Sequence, residues 1–292
     1  MIAIDEDHEA KRFVFQSANY EFVSDVPLSN SLVSKFAVLF EATREYCRVL
    51  PLSLKKAHVD GREHRYQVFL FESFGTYVRN GGPPGSAGVY LSGRDVILVP
   101  LTSLGVKKVG SSYRFDWDGS NKTLPHELVH QLTEPVYYAA GARGWFTEGL
   151  AEYVAVTPYR AGKFNNKLVR NAVKDYVIEY GRKGRGGRAL GEEVSVPPLK
   201  DFMLQSYASF TANGNHNYGV GLLITYYFFH SDLDGNRTAI TAFLKGLREG
   251  KTGSEALLEL LQGRSFQELE ESIAKSWRSR GVKIRFLPST TE

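Results

Sequence analysis

His126, Glu127 and His130 stand in the order His-Glu-Leu-Val-His. On a helix, side chains four apart share a face, so the two imidazoles can address one ion. Glu127, beside the first imidazole, can reach a metal-held water without ligating the ion. A catalytic zinc takes three protein ligands and keeps one position open, so a third ligand is required. Seventeen residues separate His130 from Glu148, enough to end one helix, reverse and begin another. Glu148 lies in the segment WFTEGLAEY, residues 145–153, and Glu152 follows it on the same helical face. One of these carboxylates can bind the metal. The other can accept a hydrogen bond from the far nitrogen of a ligating imidazole, which fixes that ring's tautomer. Small Gly149 and Ala151 would let this helix approach the HELVH helix closely.

HELVH followed by WFTEGLAEY resembles the gluzincin metallopeptidases, whose pattern is HExxH with a glutamate ligand on a second helix. The second segment is similar to the W-[LF]-x-E-G-x-A-x-Y stretch of the aminopeptidase-like and peptidase-MA-like branches. The resemblance implies a zincin-like α+β fold and one Zn2+ per chain, bound by His126, His130 and Glu148, with Glu127 as general base. It places Glu152 behind a ligating histidine, where the thermolysin branch has Asp. Gluzincins also carry a downstream Tyr or His that faces the developing oxyanion, and Tyr218, just after His216, is matched to that role. With 16 tyrosines in the chain, a packing role for Tyr218 stays equally open. The implied reaction is hydrolysis of a peptide bond by a metal-activated water. No G-x-M-E-N signature is present, so internal bonds are expected rather than terminal ones. The expected partner is a peptide or protein, its backbone laid along a strand edge at 87–91. Two other readings are kept. One is a catalytically silent zincin-like domain that binds peptides or glycopeptides. The other is a polyanion or nucleic-acid binder using the basic loop of Arg182, Lys183, Arg185 and Arg188.

These residues need elements to position them. Alternating Phe13, Phe15, Tyr20 and Phe22 predict β-structure over 12–24. Leu32, Phe36, Leu39, Phe40, Tyr46 and Val49 fall at helical spacing over 29–50, and Pro51 ends that run. Short β-branched and aromatic runs at 65–71, 87–91 and 95–101 predict strands, with Ser92-Gly93-Arg94 as a hairpin turn. Thr123 can cap a helix through HELVHQL, and Pro125 is tolerated in its first turn. A second helix is expected from Thr147 to Pro158, and others at 165–180, 254–262 and 265–279. Residues 181–193 read as a loop. The layout is an α+β N-terminal lobe over 1–135, ending in the HExxH helix. A mainly helical C-terminal lobe over 136–292 carries the third ligand.

Composition narrows the alternatives. Of 292 residues, 42% are hydrophobic and 23% charged, which excludes a disordered or collagenous chain. Thirty-six basic against 32 acidic side chains leave only +4, too little to argue for a nucleic-acid partner, and none is expected. The single Cys47 excludes an internal disulfide framework and a Cys-rich metal module; it is expected to be a small buried hydrophobe. No segment reaches the roughly 18 apolar residues of a membrane span, and the apolar run 218–229 reads as a buried helix. The first residues lack a basic and apolar leader pattern. The compartment and oligomeric state stay open, with export after loss of a signal peptide as the family's suggestion. His216 is expected in a loop, and His8, His58, His64 and His230 at surface or packing positions.

Overall fold

The computed structural model describes residues 1–59, 62–116, 122–179 and 186–288. Its architecture is α+β, in two compact units interleaved along the chain. Met1–Arg48, Leu54–Leu132 and Tyr159–Phe164 make the first; Val49–Ser53, Thr133–Pro158 and Asn165–Glu292 make the second. No helix among the described residues is long and apolar enough to cross a membrane.

The first unit begins with β1 (Ile2–Asp7), β2 (Arg12–Gln16), β3 (Tyr20–Ser24) and α1 (Asn30–Arg48). It continues through β4 (His58–Val59), β5 (Arg62–Glu63), β6 (Tyr66–Phe71), α2 (Phe74–Arg79), β7 (Val89–Leu91), β8 (Val96–Pro100), β9 (Val106–Val109) and β10 (Ser112–Phe115). The HELVH helix is α3 (Thr123–Leu132), and a short hairpin, β11 (Tyr159–Arg160) with β12 (Lys163–Phe164), completes the unit. Six strands form a mixed sheet in the order β1-β2-β3-β6-β8-β7. The central β3, β6 and β8 run parallel, and β7 closes one edge antiparallel to β8. The apolar stripe of α1 covers the sheet: Phe36 and Phe40 meet Phe22 edge-on at 5.8 and 5.0 Å. Val49, expected in that stripe, lies past the helix end and is 58% exposed. β1 and the β9–β10 hairpin are among the elements that were not expected. β1 is exposed along nearly its whole length, so burial imposes no alternation on its sequence. The β9–β10 hairpin is likewise polar on most faces.

The second unit is built on α4 (Trp145–Val156), α5 (Val169–Ile178), β13 (Glu193–Val196), α6 (Leu199–Leu204), α7 (Tyr207–Ala212) and α8 (Gly214–His230). Three further helices, α9 (Thr238–Arg248), α10 (Gly253–Leu261) and α11 (Phe266–Arg278), precede β14 (Lys283–Phe286). β13 and β14 pair in parallel, so the loop expected through 193 ends in a strand whose partner lies far along the chain. α4 starts two residues earlier than expected. Thr147 sits inside its first turn, and its hydroxyl accepts from the Gly144 N–H at 3.0 Å, the back-bond of a capping arrangement. α5 starts later than expected, because the Asn165 side chain accepts from the Lys167 N–H and holds a turn there. As expected, residues 218–229 lie in a buried helix, α8, which packs along α4.

That packing depends on two glycines. A Cβ on Gly149 would stand 2.4 Å from both the Gly221 carbonyl oxygen and Thr225 Oγ1; one on Gly221 would stand 2.8 Å from the Trp145 carbonyl. Gly149 therefore serves the approach of α4 to α8. Alanine is the better helix former by about 1 kcal/mol, but here the obstacle is backbone, which cannot swing aside. Gly149→Ala should lower the unfolding free energy by roughly 2 kcal/mol, read as a lower urea midpoint. Gly93→Ala, with open space at its Cβ position, should stay within about 0.5 kcal/mol of the parent.

Candidate metal centre

α3 carries its apolar residues Leu124, Leu128, Val129 and Leu132 into the first unit's core, packing against α1, β7 and β8. Gln131 is buried with them, and its Nε2 donates to the Gln67 carbonyl at 3.0 Å, tying the helix to β6. With that face fixed, His126, Glu127 and His130 are left half-buried. The two imidazoles meet edge-on with their Nε2 atoms 3.1 Å apart. Two nitrogens held roughly 2.0–2.1 Å from one ion stand at about this separation. Glu127 Oε2 accepts from the Tyr90 backbone N–H of β7 at 2.9 Å.

In the second unit, α4 turns Glu148 and Glu152 into the interior, where they are 2% and 4% exposed. Burying two carboxylates on one helix face costs several kcal/mol unless donors and charges meet them. Glu152 receives a two-pronged Arg188 guanidinium, at 2.8 Å on Oε1 and 3.2 Å on Oε2. Tyr176 also bonds Glu152; burial, then this negative charge, pushes its phenol pKa well up. Glu148 Oε1 accepts from the Tyr207 hydroxyl at 3.0 Å, and the Tyr218 hydroxyl bonds both Glu148 and Tyr207. Burial, then the Glu148 charge, pushes Tyr207 up to about 12 and Tyr218 far above its ordinary value, so both phenols keep their protons. Arg143 lies over the Tyr207 ring at 4.5 Å and Arg188 over the Tyr218 ring at 5.0 Å.

One ligand atom each from His126, His130 and Glu148 lies within 4.8 Å of the others. Two imidazoles and a buried carboxylate are a donor set that suits zinc. The chain was compared with family models and with curated proteins. Neither comparison gave a match.

The other singled-out residues fall as follows. Glu152 is engaged by Arg188 and Tyr176, and Tyr218 stands against Glu148 from the first turn of α8. His216 is on that same turn, not in a loop, and its Nε2 is 2.9 Å from the Ser195 carbonyl oxygen. His8 and His64 are exposed, and the His58 side chain lies outside what is described. Arg182, Lys183 and Arg185 also lie outside the described residues. Arg188 is no solvated loop residue, since it pairs with buried Glu152. Cys47 is buried as expected, and Trp145 is buried as well. Tyr207, Tyr176 and Arg143 were not singled out from sequence; each stands in a run without a distinguishing pattern.

His230 closes the far end of α8. Its Nε2 is 2.8 Å from the Tyr153 hydroxyl of α4, and its ring stacks on Tyr226 at 4.6 Å. Burial, then the positive charges of Arg237 and Arg280, push its pKa down to about 4. The unfolded chain takes up this proton near pH 6.5, so the neutral ring stabilises the fold fully above that pH. The contribution falls as pH drops from about 6.5 towards 4. Because the ring is partly exposed, the amount is on the order of 2 kcal/mol. Urea midpoints measured across this range should fall with acidity in the parent and fall less in His230→Gln.

Proposed function

We propose that this chain is a zinc-dependent metallopeptidase with a zincin-like arrangement of its helices, cleaving internal bonds of extended peptides. The observation that carries the reading is that His126, His130 and Glu148 each offer one ligand atom within 4.8 Å of the others, with an acid between the histidines in sequence. His126, His130 and Glu148 would hold the ion. When bound, zinc supplies Lewis acidity, lowering the pKa of a coordinated water and polarising the scissile carbonyl.

The chain's own groups do the rest. Glu127, anchored at Oε2 by the Tyr90 N–H, is the base that takes a proton from water and passes it to the leaving amine. The Tyr218 phenol keeps its proton throughout the neutral range, and by turning from Glu148 and Tyr207 it would donate to charge that develops on the substrate oxygen. Arg188 and Tyr176 hold Glu152 in place, and the Arg188 guanidinium lies over the Tyr218 ring.

Metal analysis of the purified protein should find about one zinc per chain. Glu127→Gln should keep that zinc and lower cleavage of an unstructured protein such as casein by about a hundredfold or more. Undiminished cleavage by this variant, or a chain that takes up no zinc, would end the reading.

A further inference from the structure

Tyr90 contributes to the first unit in two ways. Its N–H, at the centre of β7, points away from β8. The pairs Val89–Leu98 and Leu91–Val96 carry the ladder, and the Tyr90 N–H donates to Glu127 instead. Its phenol donates to Asp95 Oδ1 at 2.9 Å and accepts from Lys55 Nζ at 3.0 Å. Lys55, its side chain 16% exposed, forms an ion pair with the same Asp95. The Lys55 main chain is equally committed. Its N–H donates to the Leu132 carbonyl at 2.8 Å, on the last residue of α3, and its carbonyl accepts from the Tyr66 phenol. Asp95 stands in the β7–β8 turn with φ of 55°, a left-handed conformation that Asp and Asn tolerate.

β7 is three residues long and has a strand on one side only, so the ladder alone holds it weakly. Lys55 grips both parts that set the Glu127 environment: the end of α3 through its backbone, and the edge strand through its side chain. We infer that Lys55, Asp95 and the Tyr90 phenol are positioning residues for Glu127. They fix β7 against α3 so that the Tyr90 N–H restrains one carboxylate oxygen and the other takes the proton. This rests on Glu127 acting as the base proposed above. None of the three touches the reacting atoms through its side chain.

The test uses the full chain with zinc and the variants Tyr90→Phe and Asp95→Asn, the latter keeping a residue suited to the turn. Hydrogen exchange followed by NMR reads the clamp without any catalysis. The amide at position 90 should exchange about tenfold faster in both variants, while those of Val89 and Leu91 keep their parent rates. On casein-derived peptides, kcat should fall about tenfold with KM and zinc content unchanged. Unchanged exchange at position 90 overturns the clamp, and so does equal acceleration at 89, 90 and 91, which would make the cluster a general staple of the hairpin. A faster position 90 with unchanged kcat also overturns the positioning role. If the parent cleaves no peptide at all, the metallopeptidase reading fails, and the exchange result still decides whether the cluster fixes the bond to Glu127.

Discussion

Two acids one turn apart on α4, both shut away from water, set the conditions for everything around them. At that spacing their charges repel, and neither can rely on solvent. The second unit answers them unequally. Glu152 is met by a guanidinium, which cancels its charge and fixes both oxygens. Glu148 accepts from the Tyr207 hydroxyl and is also bonded by Tyr218. Hydroxyls orient a carboxylate without themselves carrying a charge.

The orientation of those acids depends on backbone contact. Gly149 and Gly221 let α4 and α8 come together with main chain against main chain, and α8 brings Tyr218 to Glu148 on its first turn. Bulk at either glycine would move the phenol and the carboxylate relative to each other. The first unit solves its half of the problem differently. There α3 is fixed by its apolar face and by Gln131, and Glu127 is fixed by a strand edge. In each unit the side chains are held from helices and a strand rather than from loops, which keeps them in fixed positions.

What the sequence made legible follows from distance along the chain. His126, Glu127 and His130 were readable because helical geometry converts a spacing of four into a shared face. Glu148 and Glu152 were readable for the same reason, and α8 because an apolar run of that length has to be buried. The partners that orient these groups come from far away: Tyr90 lies 37 residues from Glu127, Arg188 lies 36 from Glu152, and Tyr207 lies 59 from Glu148. No local rule links such pairs. Arg188 was further disguised by its basic neighbours, since a run of positive charge reads as a solvated loop. β1 escaped because neither face is buried, and the β13–β14 pair because its two short strands meet across about ninety residues. Boundaries moved where a side chain competed with the helix, at Asn165, or completed it from within, at Thr147.

α4 is a poor helix by every local measure. It has a glycine in its middle, two buried acids, and a first turn that begins at a residue with φ of 97°. A helix whose only task was to fill the core would be more stable with alanine and apolar side chains at 148, 149 and 152, because a buried ion pair seldom outperforms good packing. The unfavourable residues are also not scattered. Each acid meets a specific set of donors, and the glycine lies between them at the one point where α8 must come close. Local rules broken together, at one place and with matched compensation around them, show that these α4 positions are set by their specific partners and not by helix propensity or core filling.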